Sequence, residues 1–157
     1  MPEVPADPKG QALTDLILTV FRTNNLLLLW GDRLVSSFGL TSARWQILGA
    51  IVHAERPQPV AWLARDLGAN RQNVQRIVND LHHEGLVVFA PNPHHRRAHL
   101  VVLTEKGREI YDAAIGVYTP RVNALAEEMS INDIQVACNL MKILKCHIER
   151  DLDIIKL

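Results

Sequence analysis

The sequence predicts a mainly α-helical chain with one small β-hairpin in its second half. Three observations carry that prediction. Apolar residues recur at steps of three and four over most of the 157 residues. Capping residues, glycines and prolines cut this pattern into separate helices. One pair of β-rich runs, Leu86 to Ala90 and Ala98 to Leu103, brackets a polar, proline-containing turn.

Residues 1–10 hold three prolines and read as a flexible arm. No apolar stretch follows a basic start, so they do not resemble a signal peptide. Leu13, Leu16, Ile17, Val20, Phe21, Leu27, Leu28, Leu34, Val35 and Phe38 then mark one face of a long helix that Gly39 ends. Its longest apolar run, Leu26 to Trp30, is far too short to cross a bilayer, and no membrane partner is expected. Thr41 or Ser42 caps a second helix that stops near Arg56, before Pro57 and Pro59. Val60 to Leu67 is a short helix. After Gly68, Asn70 caps another that runs from Arg71 to about Glu84, closed by Gly85. Beyond the hairpin, Thr104 caps a helix expected to kink or break near Gly116 and Pro120. Ser130 opens the last one, whose apolar residues Ile134, Ala137, Met141, Leu144, Ile148, Leu152 and Ile155 follow nearly coiled-coil spacing.

The segment Val60 to Leu81 has the pattern of a helix-turn-helix. Ala64 supplies the small residue where two helices cross, and Gly68 the tight turn. Leu63, Leu67, Val74, Ile77, Val78 and Leu81 anchor both helices. The opposite face of the second helix carries Asn70, Arg71, Gln72, Asn73, Gln75, Arg76 and Asn79. There is no carboxylate from Asn70 to Arg76. Amides bond bidentately to adenine and guanidinium to guanine or phosphate, so this face has the chemistry for reading duplex DNA. The free N–H groups at the helix start are expected to favour a phosphate. The hairpin turn, with His94, His95, Arg96 and Arg97, then reads as a wing beside the DNA. His95, Arg96 and Arg97 are its expected contacts. His95 is further expected to gain charge on mild acidification and to tighten binding near pH 6.

The formal net charge is zero, which on its own argues against nucleic acid. Cut along the chain, the balance changes. Residues 58–108 hold seven basic and four acidic side chains plus five of the seven histidines, whereas residues 109–157 hold five basic and eight acidic. A DNA backbone meets the local field rather than the total.

Other chemistry is sparse. No phosphate-binding glycine loop, zinc-protease motif, nucleophile elbow or thiol-redox pair is present, so neither an enzyme nor a cofactor is expected. His82, His83, His94, His95 and His99 lack the converging carboxylate or thiolate of a metal site, and none is assigned. Cys138 and Cys146, eight residues apart on one helix, cannot bridge each other. Two cysteines suit a reducing cytoplasm. Trp30, Arg44, Trp45, His53 and Trp62 are candidates to line a ligand cavity, with Arg44 as the partner of an anion.

These segments, in this order, resemble the MarR family of winged helix-turn-helix regulators. The resemblance rests on Gly39-Leu40-Thr41 with Trp45-Gln46-Ile47-Leu48 and on Leu63 to Gly68. It continues through Leu81 to Val87, Arg96-Arg97-Ala98 and Leu103 to Gly107, and it spans roughly residues 13–155. It implies a homodimeric, sequence-specific transcriptional regulator that binds a pseudo-palindromic duplex operator, typically a repressor relieved by a small aromatic or anionic ligand. It assigns residues 11–38 and 109–157 to dimerisation and residues 39–108 to DNA binding. The apolar seams of the terminal helices agree, since they are too extensive to stay exposed. The competing reading is a ligand-sensing or protein-interaction module of the same fold without strong DNA binding. One departure stands out: where the family wing has an acid, this chain has His95, which leaves Asp80 as the expected partner of Arg97.

Overall fold

A computed structural model describes residues 7–155, so positions 1–6 of the expected arm lie outside the described residues. The chain divides after Val117 into two compact units.

In the first unit, helix α1 spans Pro8–Val35. It starts within the stretch expected to be an arm because Asp7 caps it, accepting from the Gly10 N–H, and Pro8 suits the first helical position. Taken together, residues Pro8–Phe38 are long and apolar enough to cross a membrane by length and composition, with mean hydropathy 1.3 over 18 residues. Only Gly31 and Val35 of α1 are buried. At Gly31 the chain passes so close that a Cβ would lie 2.3 Å from Ser42 Oγ. That hydroxyl donates to the Leu28 carbonyl, while Asp32 accepts from the Ser42 N–H, both at 2.6 Å. α1 is thereby clamped to the start of α2, Ser42–His53, whose N-cap is Thr41. α2 ends earlier than Arg56, with Ala54 already in extended backbone.

Next comes β1, Gln58–Pro59, a strand that periodicity did not predict. It pairs antiparallel with β3, Leu100–Leu103, which in turn pairs with β2, Val87–Ala90. The sheet order is β1-β3-β2, with Gln58 opposite Val101 and Val87 opposite Leu103. β1 is an edge strand two residues long, a place that tolerates a proline with no donor. α3, Val60–Leu67, and α4, Arg71–His83, flank the turn at Gly68. Gly68 takes φ +62, where a side chain would be strained. Its N–H and that of Ala69 close the end of α3 on the Arg65 and Ala64 carbonyls.

The core gathers Val35, Leu40, Ile47, Leu48, Leu63, Ala64, Val74, Val78, Leu81, Val87 and Val101, all at most 3% exposed. Residues from α1, α2, α3, α4 and the sheet thus share one apolar centre. α5, Glu105–Ala126, enters it through Tyr111 and Ala114. At its start Thr104 Oγ1 accepts from the Gly107 N–H and donates to the Gly85 carbonyl at 2.7 Å. α5 does not break at Gly116 or Pro120; it stays helical across both and across the division between the units. A proline removes one intrahelical donor, and the remaining ladder of a 22-residue helix absorbs that loss. In the second unit Ser130 Oγ accepts from the Asp133 N–H and opens α6, Ile131–Ile155, of which nothing is buried.

Candidate nucleic-acid interface

The reading face is built from α4. Val74, Ile77, Val78 and Leu81 fix its inner side in the core. The other side therefore has to present Arg71, Gln72, Asn73 and Arg76 outward, and all four are exposed. Gln75 is half-buried and donates to Asn79 Oδ1 at 2.9 Å. Arg76 is held along the helix by Asn73 Oδ1 at 3.0 Å and by Asp80 at 3.6 Å. Asn70 is the N-cap: its Oδ1 accepts from the N–H groups of Gln72 and Asn73 at 2.9 and 3.2 Å. Those donors are not open to a phosphate, as the sequence had suggested, because the cap itself satisfies them.

The wing is braced differently from expectation. Asp80 pairs with Arg76, and Arg97 has no ion-pair partner among the described residues; nor do Arg71 and Arg96. Asn92 does the bracing instead. Its amide donates to the Ala98 carbonyl at 2.8 Å across the turn, and its Oδ1 accepts from the His94 N–H at 3.0 Å. Two further backbone bonds, His95 to Asn92 and Ala98 to His95, tighten the loop. His95, Arg96 and Arg97 are exposed at its end. An asparagine between two prolines was the available signal for this staple, since Asn bonds to the backbone two residues on.

Between α4 and the wing lies a notch of about 280 Å³. Arg71, Gln75 and Asn79 line it from α4, and Arg97 and His99 from the wing. From sequence alone His99 reads only as one histidine of an unsupported metal cluster, and Asn79 only as part of a polar helix face. Their convergence depends on how the hairpin folds back toward α4.

None of the five candidate ligand-binding residues lines this notch. Arg44 makes a short ion pair with Glu84 and donates to the Gly39 carbonyl at 3.0 Å, tying α2 to the end of α4. Its Nε is buried with no partner. Trp62 is exposed on α3, with the Arg65 guanidinium 5.3 Å from its ring centroid. His53 Nε2 lies 3.2 Å from the Tyr111 hydroxyl. Burial holds that phenol above its ordinary value; Asp112 adds to the shift and Arg108 opposes it. Trp30 and Trp45 are half-buried on α1 and α2. Among the described residues no three of His, Cys, Asp or Glu converge, and both cysteines are exposed thiols on α6.

A helix-turn-helix followed by a stapled basic hairpin defines a winged-helix DNA-binding protein. The comparisons agree. A MarR-family model matches residues 38–98. The transcriptional activatory protein BadR of Rhodopseudomonas palustris is 32% identical over 149 residues, covering 88% of this chain and 82% of BadR. A Mycobacterium tuberculosis protein is 42% identical over 98 residues, 62% of this chain and 67% of that one. Among solved structures, CouR of Rhodococcus jostii RHA1 bound to p-coumaroyl-CoA superposes with a TM-score of 0.74 at 19% identity, over 83% of this chain and 91% of that one. The chain belongs to the MarR family, whose members are transcription regulators rather than enzymes.

Proposed function

We propose that this chain acts as a homodimer on a pseudo-palindromic operator, with α4 of each protomer in the major groove and Arg96 and Arg97 at the backbone or adjacent minor groove. The observation that carries the reading is the outward face of α4. Arg71, Gln72, Asn73 and Arg76 stand exposed on a helix anchored by four buried residues, and no carboxylate interrupts them. Such a face suits base edges, and half-sites about one helical turn apart suit a two-fold dimer. The exposed apolar residues of α1 and α6 support the dimer, because an isologous contact removes them from water.

Repression relieved by a small aromatic or anionic ligand is the proposed mode of action. CouR, which holds an acyl-CoA in its structure, supports the ligand part. Trp30 and Trp45, half-buried on α1 and α2, are the side chains proposed to meet it. With its guanidinium on Glu84, Arg44 offers an anion only the edge that carries Nε. The name of BadR favours activation as the second reading. A cytoplasmic location follows from work on chromosomal DNA.

The test is a gel shift on the DNA upstream of the protein's own gene, with competitor DNA at graded salt. Tight, competitor-resistant, salt-sensitive binding is expected, and loss of Arg96 and Arg97 together should flatten the salt slope. Binding that competitor removes, or that survives the double substitution unchanged, overturns the reading. A reporter fused to the same DNA distinguishes repression from activation by its sign.

A further inference from the structure

We propose that the notch between α4 and the wing seats one phosphodiester of the bound duplex, and that His99 is a DNA-binding residue whose contact strengthens on acidification. The inference rests on the DNA-binding reading and adds a site to it.

Four observations converge. First, Arg71 and Arg97 line the notch from two separate elements, and neither has an ion-pair partner among the described residues. An anion seated there would meet two fork-shaped guanidinium donors. Second, no carboxylate lines the cleft. The nearest acid along α4, Asp80, is turned to Arg76. Third, the Gln75 amide donates to Asn79, which leaves the Asn79 NH₂ as a neutral donor at the same wall. Fourth, at about 280 Å³ the notch has room for a phosphate group and its adjoining sugar.

The location fits the occupant. A helix in the major groove and a wing at the neighbouring minor groove straddle the sugar–phosphate strand that separates the two grooves. The cleft between helix and wing is where that strand has to pass.

His99 adds a titratable donor. Its ring stands 6.4 Å from the Phe89 ring, whose other neighbour is His82 at 4.9 Å. The charged groups lining the notch beside it are Arg71 from α4 and Arg97 from the wing, while β1 and the start of α3 contribute only Pro59, Val60 and Ala61. Imidazoles gain their charge between pH 5 and 8. A charged imidazole donates to an oxyanion more strongly than a neutral one, so acidification and a phosphate in the notch reinforce each other.

The experiment measures operator affinity of the full chain by fluorescence anisotropy at pH 6 and pH 8. Wild type is expected to bind about 3- to 10-fold more tightly at pH 6. His99→Gln should remove that ratio and lower the salt slope at pH 6 by about 0.9, the worth of one phosphate contact. A neutral methylphosphonate at one backbone position should abolish the ratio for wild type in the same way. His95→Gln, which tests the pH dependence expected of the wing tip, should leave the ratio in place. A ratio that survives His99→Gln, or that follows His95 instead, overturns the proposal while leaving DNA binding intact. If no duplex resists competitor, the DNA reading itself has failed. Inorganic phosphate then decides the notch: a shift of the His99 ring signal in NMR, lost in Arg71→Gln/Arg97→Gln, retains an oxyanion site with another source, and no shift removes it.

Discussion

The winged segment and the terminal helices solve the burial problem in opposite ways. From Leu40 to Ala114 every element except the two-residue β1 puts apolar side chains into one shared core, and Leu48, Leu63, Leu81, Val87 and Val101 are at most 1% exposed. α1 and α6 have the same apolar richness without the burial. Phe21 is 64% exposed, Leu26 67%, and no residue of α6 is buried. The first region satisfies its hydrophobic demand within one chain. The second leaves much of it exposed. A segment with its own core is thereby joined to helices that the proposed dimer would cover.

The largest expected effect breaks this contrast from the side of the helices. A charge at Phe21 on α1 or Ile143 on α6 should give a monomer by sedimentation. It should also cost at least about 100-fold in operator affinity, because two linked half-site contacts become one. The winged segment should keep its own near-native circular dichroism. A variant that stays dimeric would locate the association surface elsewhere.

Leu81→Ala attacks the other side. Leu81 is fully buried, so its truncation should cost about 2–5 kcal/mol in urea unfolding, at any protein concentration. A loss that disappeared at high concentration would mean that the core is not self-sufficient. Asn70→Ala is milder. It frees the Gln72 and Asn73 N–H groups at the start of the reading helix and should cost about 1 kcal/mol.

The smallest effect is alkaline. Burial raises the Tyr111 phenol above its ordinary value, so folding favours the neutral form. The associated stability is present in full below about pH 10 and is lost as pH climbs through the raised value. Melting temperature should therefore fall less above pH 10 in Tyr111→Phe than in wild type, even though the variant gives up the contact with His53. Identical alkaline limbs would assign the loss to other groups.

Much of this was legible in the sequence, for physical reasons that differ by element. α3, Gly68 and α4 were readable because helical period, a positive-φ glycine and an Asn cap are all local signals. The same holds for the outward face of α4, since anchoring one side of a helix determines the other. The early start of α1 was missed because a run of prolines masked the Asp7 cap. β1 was missed because two residues have no period, and their strand character comes from pairing with Val101 and Leu100.

The sequence by itself determined the helix order, the turn chemistry, the apolar anchors and the placement of basic charge in residues 58–108. Each of these depends on neighbours within a few positions. The tertiary structure alone decided which side chains meet across the chain. It gave Arg44 to Glu84, left Arg97 without an ion-pair partner among the described residues, and brought His99 to the same cleft as Arg71. Pairing over distance depends on how α2 and the hairpin pack against α4, and no local preference encodes that choice.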